Sequence, residues 1–316
     1  MTASMPSNVY TPDRYDERVF HLALGIEPTG AVSGLRALSS VDVRLEQFPS
    51  PVDQWRNWRP GEALTPFLPA MLRHPSGRFA LLYHRRSTTT VAMRIVDNQR
   101  SLAPGANPGR FGVGQGRRIV PRRVSVTIPT EAAVLGAEAD PARPPVPIWQ
   151  RSFPLACFPG ATASLGPGAT VIRGRVERDD GSGLLAPVRW ARVRAANGSG
   201  DEIGWAHGDD RGEFVLAIGQ SVNDIVAPPD PLPVTLTVGY LDPAPMPDPA
   251  DPLLATIDPL WDLPVETVDA SVDPASEPSI TGRRFLPGQS VVAALSPAMP
   301  VDLPLGRETS VVLVVP

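Results

Sequence analysis

Residues 112–116, Gly-Val-Gly-Gln-Gly, followed by Arg117 and Arg118, are the first place where this chain could do chemistry. A glycine-rich loop can cradle phosphate on its backbone amides. The known phosphate loops need either G-x-x-x-x-G-K-[ST] or G-x-G-x-x-G at the start of a helix. Neither spacing is present, and the residues that follow read as a strand, so a hairpin tip is expected. His207, with Asp209 and Asp210, has ligand-type side chains, but Asp and Gly also favour turns for backbone reasons. His21, His74 and His84 lie far apart, with no i, i+4 pairing and no cysteine partner. The single cysteine, Cys157, sits between Ala156 and Phe158 and reads as a small buried hydrophobe that can form no internal disulfide. No Gly-x-Ser-x-Gly elbow occurs. The residues therefore predict no catalytic site, no metal site and no cofactor.

Charge points to contacts and away from turnover. All 29 basic residues are arginine, and the formal net charge is −4. Between positions 78 and 123 there are ten arginines and one acid, Asp97; between 213 and 277 there are twelve acids and no arginine. Arg85, Arg86, Arg110, Arg117, Arg118, Arg122 and Arg123 form a candidate basic interaction patch. Nucleic acid would also call for aromatics among the arginines, and only Phe111 is so placed, so the patch is expected to meet an acidic protein surface or to be a solvated face. One such surface is the acidic tract of a second copy, met head to tail.

A second candidate contact element is residues 241–278, where five Asp-Pro steps favour extended chain. Leu253, Leu254, Ile257, Leu260, Trp261 and Leu263 are too many apolar groups for an inert spacer. These side chains are expected to dock on a β-sandwich face of this chain or of a partner, with the acids turned towards arginines.

The elements that position these residues are strands. Residues 19–26, 41–45, 78–84, 89–97 and 122–128 alternate or run apolar at strand length, joined by Gly/Pro-rich turns. Residues 130–138 allow a short helix with Thr130 near its N-cap, and 141–147 are a proline-stiffened linker. Residues 171–178, 187–194 and 204–216 alternate about turns marked by Asp179, Gly181 and Asn197-Gly198, and 234–238 adds a strand. Residues 290–295 and 310–315 supply late strands, the second almost wholly apolar and so expected to be buried.

The 171–218 stretch resembles a carboxypeptidase regulatory-like domain, a small transthyretin-like β-sandwich. Gly174, Val176, Asp179, Gly181, Ala191, Val193, Asp210, Gly212, Phe214 and Leu216 carry the resemblance, which covers about fifty of 316 residues. Asp209-Asp210 stands where the family has Thr-Asp. The resemblance implies a spacer or interaction module without catalytic residues.

At 316 residues, with 42% hydrophobic residues, the chain can build two cores. Its 39 prolines are more than twice the ordinary share of about 5% and leave room for little helix. An all-β chain of two β-sandwiches (Ig-like or transthyretin-like) is expected. The divisions are an arm over 1–17, a sandwich over 18–129, a helix-like and proline-rich linker over 130–167, the regulatory-like sandwich over 168–240, and an acidic extended segment with late strands over 241–316. No apolar run reaches membrane-spanning length, and no signal sequence is visible, so a cytoplasmic protein or cytoplasmically assembled particle is expected. The sandwich, the stiff arms and the missing leader resemble in general style the cap, adaptor or baseplate accessories of phage-tail-like contractile particles. That implies a non-catalytic subunit binding other protein subunits. The alternative is a ligand- or carbohydrate-binding β-sandwich module using Trp55, Trp58, Trp190 or Trp205 as stacking platforms.

Overall fold

A computed structural model describes residues 21–33, 41–45, 71–82, 90–97, 118–142, 151–218 (apart from 180 and 182), 230–246 (apart from 245), 260–269 and 292–316. Among these residues the architecture is all-β, with one helix. Two four-stranded sheets enclose the first core. One runs β3 (Leu72–Arg73), β4 (Phe79–Leu82), β1 (Leu22–Gly30), β7 (Ser152–Cys157). The other runs β14 (Val265–Asp269), β6 (Arg122–Thr127), β5 (Thr90–Asp97), β2 (Val41–Leu45). Leu24, Phe79, Val43, Met93 and Val124 from the two sheets share one buried cluster. The helix α1 (Glu131–Ala139) adds Val134 to it, and Thr130 Oγ1 accepts from the Ala133 amide at 3.2 Å as its N-cap.

The second core lies between β12 (Glu213–Ala217), β8 (Val171–Asp179) and β17 (Glu308–Val315) on one side and a five-stranded sheet on the other. That sheet runs β11 (Glu202–His207), β10 (Arg192–Ala196), β13 (Leu232–Asp242), with β15 (Val292–Leu295) and β16 (Met299–Leu303) both pairing along β13. The short β9 (Leu185–Pro187) pairs with the end of β8. Ile172, Val176, Val193, Phe214 and Leu216 are all buried here. Two glycines are required by packing. A Cβ on Gly174 would stand 2.6 Å from the Phe214 ring, and Gly212 has φ 72° with the Val176 carbonyl 2.5 Å from where its Cβ would be.

Several expectations need correcting. Residues 171–218 do not form one antiparallel sheet, because β8 and β12 lie in one layer of the sandwich and β10 and β11 in the other, and β17 joins β8 in parallel. Residues 152–157, expected within a linker, are the edge strand β7, which pairs in parallel with β1 and tolerates Pro154 at that edge. Residues 265–269 are extended as expected, but as a hydrogen-bonded edge strand, β14, parallel to β6 and not as chain ordered by packing alone. The chain thus leaves the first sandwich after β7, returns to it as β14, and leaves again. Finally, β17 is not buried on both faces: Val312 is 63% and Val314 50% exposed. It is an edge strand, so its apolar run covers the core on one side only.

Candidate functional site

Charged side chains are concentrated where β14 and the turn before it meet both sandwiches. The strand β6 begins with Arg122 and Arg123, which are 4% and 6% exposed. Expected on an open basic face, they are instead buried. Arg122 Nε donates to both Glu266 carboxylate oxygens at 3.0 Å, and its Nη2 closes a fork onto Oε2. Its Nη1 donates to the Ala156 carbonyl of β7. Arg123 Nη1 donates to the Leu263 carbonyl at 3.1 Å. From the second sandwich, Arg192 on β10 places Nη2 3.4 Å from Glu266 Oε1 and donates through Nη1 to the Trp190 carbonyl at 2.8 Å. Glu266, 1% exposed, is therefore shared between arginines of the two sandwiches.

This sharing shows in the proton affinities. Burial works against the Arg122 charge, but the Glu266 carboxylate and its hydrogen bonds more than offset it and hold the group above its ordinary value. For Arg192, burial dominates; the pull of Glu266 is opposed by the Arg122 charge, and the group falls to about 10. One carboxylate fully compensates one guanidinium and only partly the second.

A second pair lies alongside. Arg189 grips Asp262 through Nε and Nη2, both at 2.5 Å, and reaches the Asp210 carbonyl at 3.3 Å. Its guanidinium lies 5.5 Å from the centroid of the Trp190 ring. Trp190 is fully buried and packs with Val96 of the first sandwich and with Leu260 and Leu263. Its φ of 60° is the left-handed region, an unusual conformation for a bulky residue. The Trp190 amide donates to the Asp209 carbonyl at 3.1 Å, so the corner is held from both sides. Phe158 of the first sandwich stacks on His207 of β11 at 3.6 Å and 15°, with the Arg122 guanidinium 5.7 Å from the Phe158 centroid.

The arrangement can hold two bodies together, and nothing in it is primed for attack. Cys157 is the nucleophile type nearest to hand. Burial, opposed in part by Arg122, pushes its thiol up to about 11. Among the described residues no group of three or more His, Cys, Asp and Glu is placed to hold a metal ion. Asp209 Oδ1 accepts from the Arg211 and Glu213 amides at 2.8 and 3.0 Å, the work of a turn residue.

The predicted site residues divide as follows. Arg118 is exposed, and its amide donates to Asp97 at 2.8 Å. Arg122, Arg123, Leu260 and Leu263 are buried at the junction, and Trp261 is half-buried beside them. Arg85, Arg86, Arg110, Arg117, Leu253, Leu254 and Ile257 lie outside the described residues, as do Trp55 and Trp58. Trp190 and Trp205, considered as sugar platforms, are buried at 0% and 7% exposure. Sequence reasoning missed Glu266, Asp262, Arg189 and Arg192. The available signal was the opposition of a basic and an acidic stretch in one chain.

A cleft of about 430 Å³ opens beside the Arg189–Asp262 pair, lined by Arg178, Val188, Arg189, Tyr240, Leu241 and Asp262 among others. Arg178 donates to Asp242 at 3.0 Å and covers the Tyr240 ring at 5.6 Å. Among the described residues no helix is long and apolar enough to cross a membrane.

No protein-family model and no curated protein matches the chain. Among solved structures it is similar to a 9R-lipoxygenase from Cyanothece PCC8801, at 12% identity and a TM-score of 0.26, over 47% of this chain and 17% of that one. It is also similar to the TIE protein of Bacillus anthracis, at 8% identity and a TM-score of 0.21, over 92% of this chain and 33% of that one. A third likeness is to GBS52, the minor pilin of Streptococcus agalactiae, at 8% identity and a TM-score of 0.21, over 93% and 95% of the two chains. This chain thus spans about a sixth and a third of the first two, and at these scores none of the three superpositions carries a functional argument.

Proposed function

We propose that this protein is a non-catalytic structural subunit, two β-sandwiches locked into one body that offers its surfaces to other protein subunits. The observation that carries the reading is the shared buried carboxylate of Glu266. Glu266 is held within the first sandwich by Arg122 and reached from the second sandwich by Arg192. A regulatory-like module over residues 171–218 fits the same role. Gly174, Gly212 and Phe214, which carry that resemblance, are used here for packing alone. The finer assignment is an accessory of a phage-tail-like contractile particle, assembled in the cytoplasm. Its support is the pairing of a β-sandwich module with proline-stiffened segments. The test is affinity isolation of the native protein from its source. Stoichiometric protein subunits should co-purify, with sheath, tube or baseplate proteins among them for the finer assignment. Recovery of the chain alone would count against the subunit role.

A second reading, a ligand-binding module, is favoured by the cleft at Tyr240 and Arg189. It predicts a saturable shift in melting temperature with a soluble glycan, abolished in Tyr240→Ala.

A further inference from the structure

The strand β17 is the outermost of its sheet, and among the described residues nothing pairs with its far edge. Along its whole length it is bonded to β8 on the other side, Glu308 to Val315 matching Val171 to Arg178. Natural edge strands are usually guarded by charges, proline, bulges or brevity. Over residues 309–315 this strand has no charge, no proline and no register shift, and seven paired residues in a row. Its outward face shows Val312 and Val314, 63% and 50% exposed, while Leu313 and Val315 are buried in the core below.

We infer that β17 is a self-pairing edge, joining two copies of this chain through antiparallel β17–β17 contact about a two-fold axis. A two-fold perpendicular to the sheet keeps outward residues opposite outward residues, so only registers pairing positions of equal parity are allowed. Centring on Val311 would set Glu308 opposite Val314 of the second copy, and centring on Val312 would set Thr309 opposite Val315. Centring on Leu313 makes five consecutive pairs apolar on both faces: 311 with 315, 312 with 314, 313 with itself, and the two symmetric mates. No charged group faces another across this seam. The sequence therefore fits a second copy, and the two four-stranded sheets that β17 edges merge into one continuous sheet of eight strands. The contact is isologous, unlike the head-to-tail contact expected from charge.

This inference goes beyond the subunit reading and is tested separately from it, on the purified full chain with no other protein present. A five-pair strand contact is small for a protein interface, so a dimer with a dissociation constant on the order of micromolar is expected. Sedimentation velocity from about 1 to 200 µM should show a monomer–dimer equilibrium. The exposed-face variant Val312→Lys/Val314→Lys should weaken it by about tenfold or more without lowering the monomer's melting temperature, because both side chains point to water. Register is read by cysteines. Mixed Val312→Cys and Val314→Cys chains should form an intermolecular disulfide under mild oxidation, and neither variant alone should. A monomer across the whole range, a dimer indifferent to the lysines, or a Val312→Cys chain that cross-links to itself would overturn the assignment, whatever co-purifies from the native source.

Discussion

Arg122, Arg192 and Glu266 form a buried triad whose worth lies in its completeness. Removing one partner of a buried ion pair leaves an uncompensated charge, at a cost of about 3–5 kcal/mol. Glu266→Ala should therefore lower stability by that amount in chemical unfolding, since two guanidiniums would share the loss. Replacing all three by apolar residues of similar size should recover much of it, because the desolvation cost then disappears with the charges. Cys157 gives a pH signature at the same scale. Its thiol ionises near 9 in the unfolded chain and only at about 11 in the fold. The folded state keeps a proton that the unfolded state has released. The contribution is thus complete below pH 9 and is lost as pH rises from 9 to 11. The slope should be at most about 1.4 kcal/mol per pH unit. Unfolding curves of the wild type and Cys157→Ala, compared over pH 8 to 11, should diverge by that slope. A thiol reagent at pH 8 should label the protein only on denaturation.

At the scale of elements, β8 and β12 depend on a glycine and a ring that fit each other. Phe214, 1% exposed, fills the space above Gly174. Phe214→Ala should cost about 3–5 kcal/mol by leaving a cavity. Gly174→Ala should also destabilise, because its Cβ would enter the ring; circular-dichroism melts of the two variants check both. Strands in 171–218 were legible because alternation, short turns and glycine act locally. The strands β7 and β14 were not. Each is an edge strand in a parallel pairing with a distant segment, so no hairpin signal accompanies it. Each also lies in proline-rich sequence that reads as linker. The exposure of β17 was likewise invisible, since an apolar run does not reveal that its strand stands at an edge.

For the whole molecule, the returning strand β14 adds its buried charge to the direct contacts that couple the two cores. Trp190, Leu260 and Leu263 pack beneath it with Val96, and Phe158 stacks on His207 across the same seam. Calorimetry of the intact chain should show one cooperative transition. Glu266→Ala should split it into two, each sandwich melting on its own, with the second retaining the β8–β12 core. Because the triad is buried, moderate salt should leave the single transition of the wild type nearly unchanged. A large salt effect would mean that the junction is open to water.

The sequence by itself determined the all-β class, the helix capped by Thr130, the strands about the 171–218 turns, and the division of the chain into a basic and an acidic stretch. These follow from local periodicity, turn chemistry and composition, which need no knowledge of what lies opposite. Only the tertiary structure decided what the charges do. Whether Arg122 faces water or a carboxylate depends on β14 arriving beside β6 across an interval of 144 residues between Arg122 and Glu266, and Arg123 finds the Leu263 carbonyl by the same arrival. A spacing that long imposes no periodic mark on the sequence. Burial then turned two residues of an apparent surface patch into ties that anchor β14 and the turn before it, because in a low-dielectric seam a guanidinium must find an acceptor.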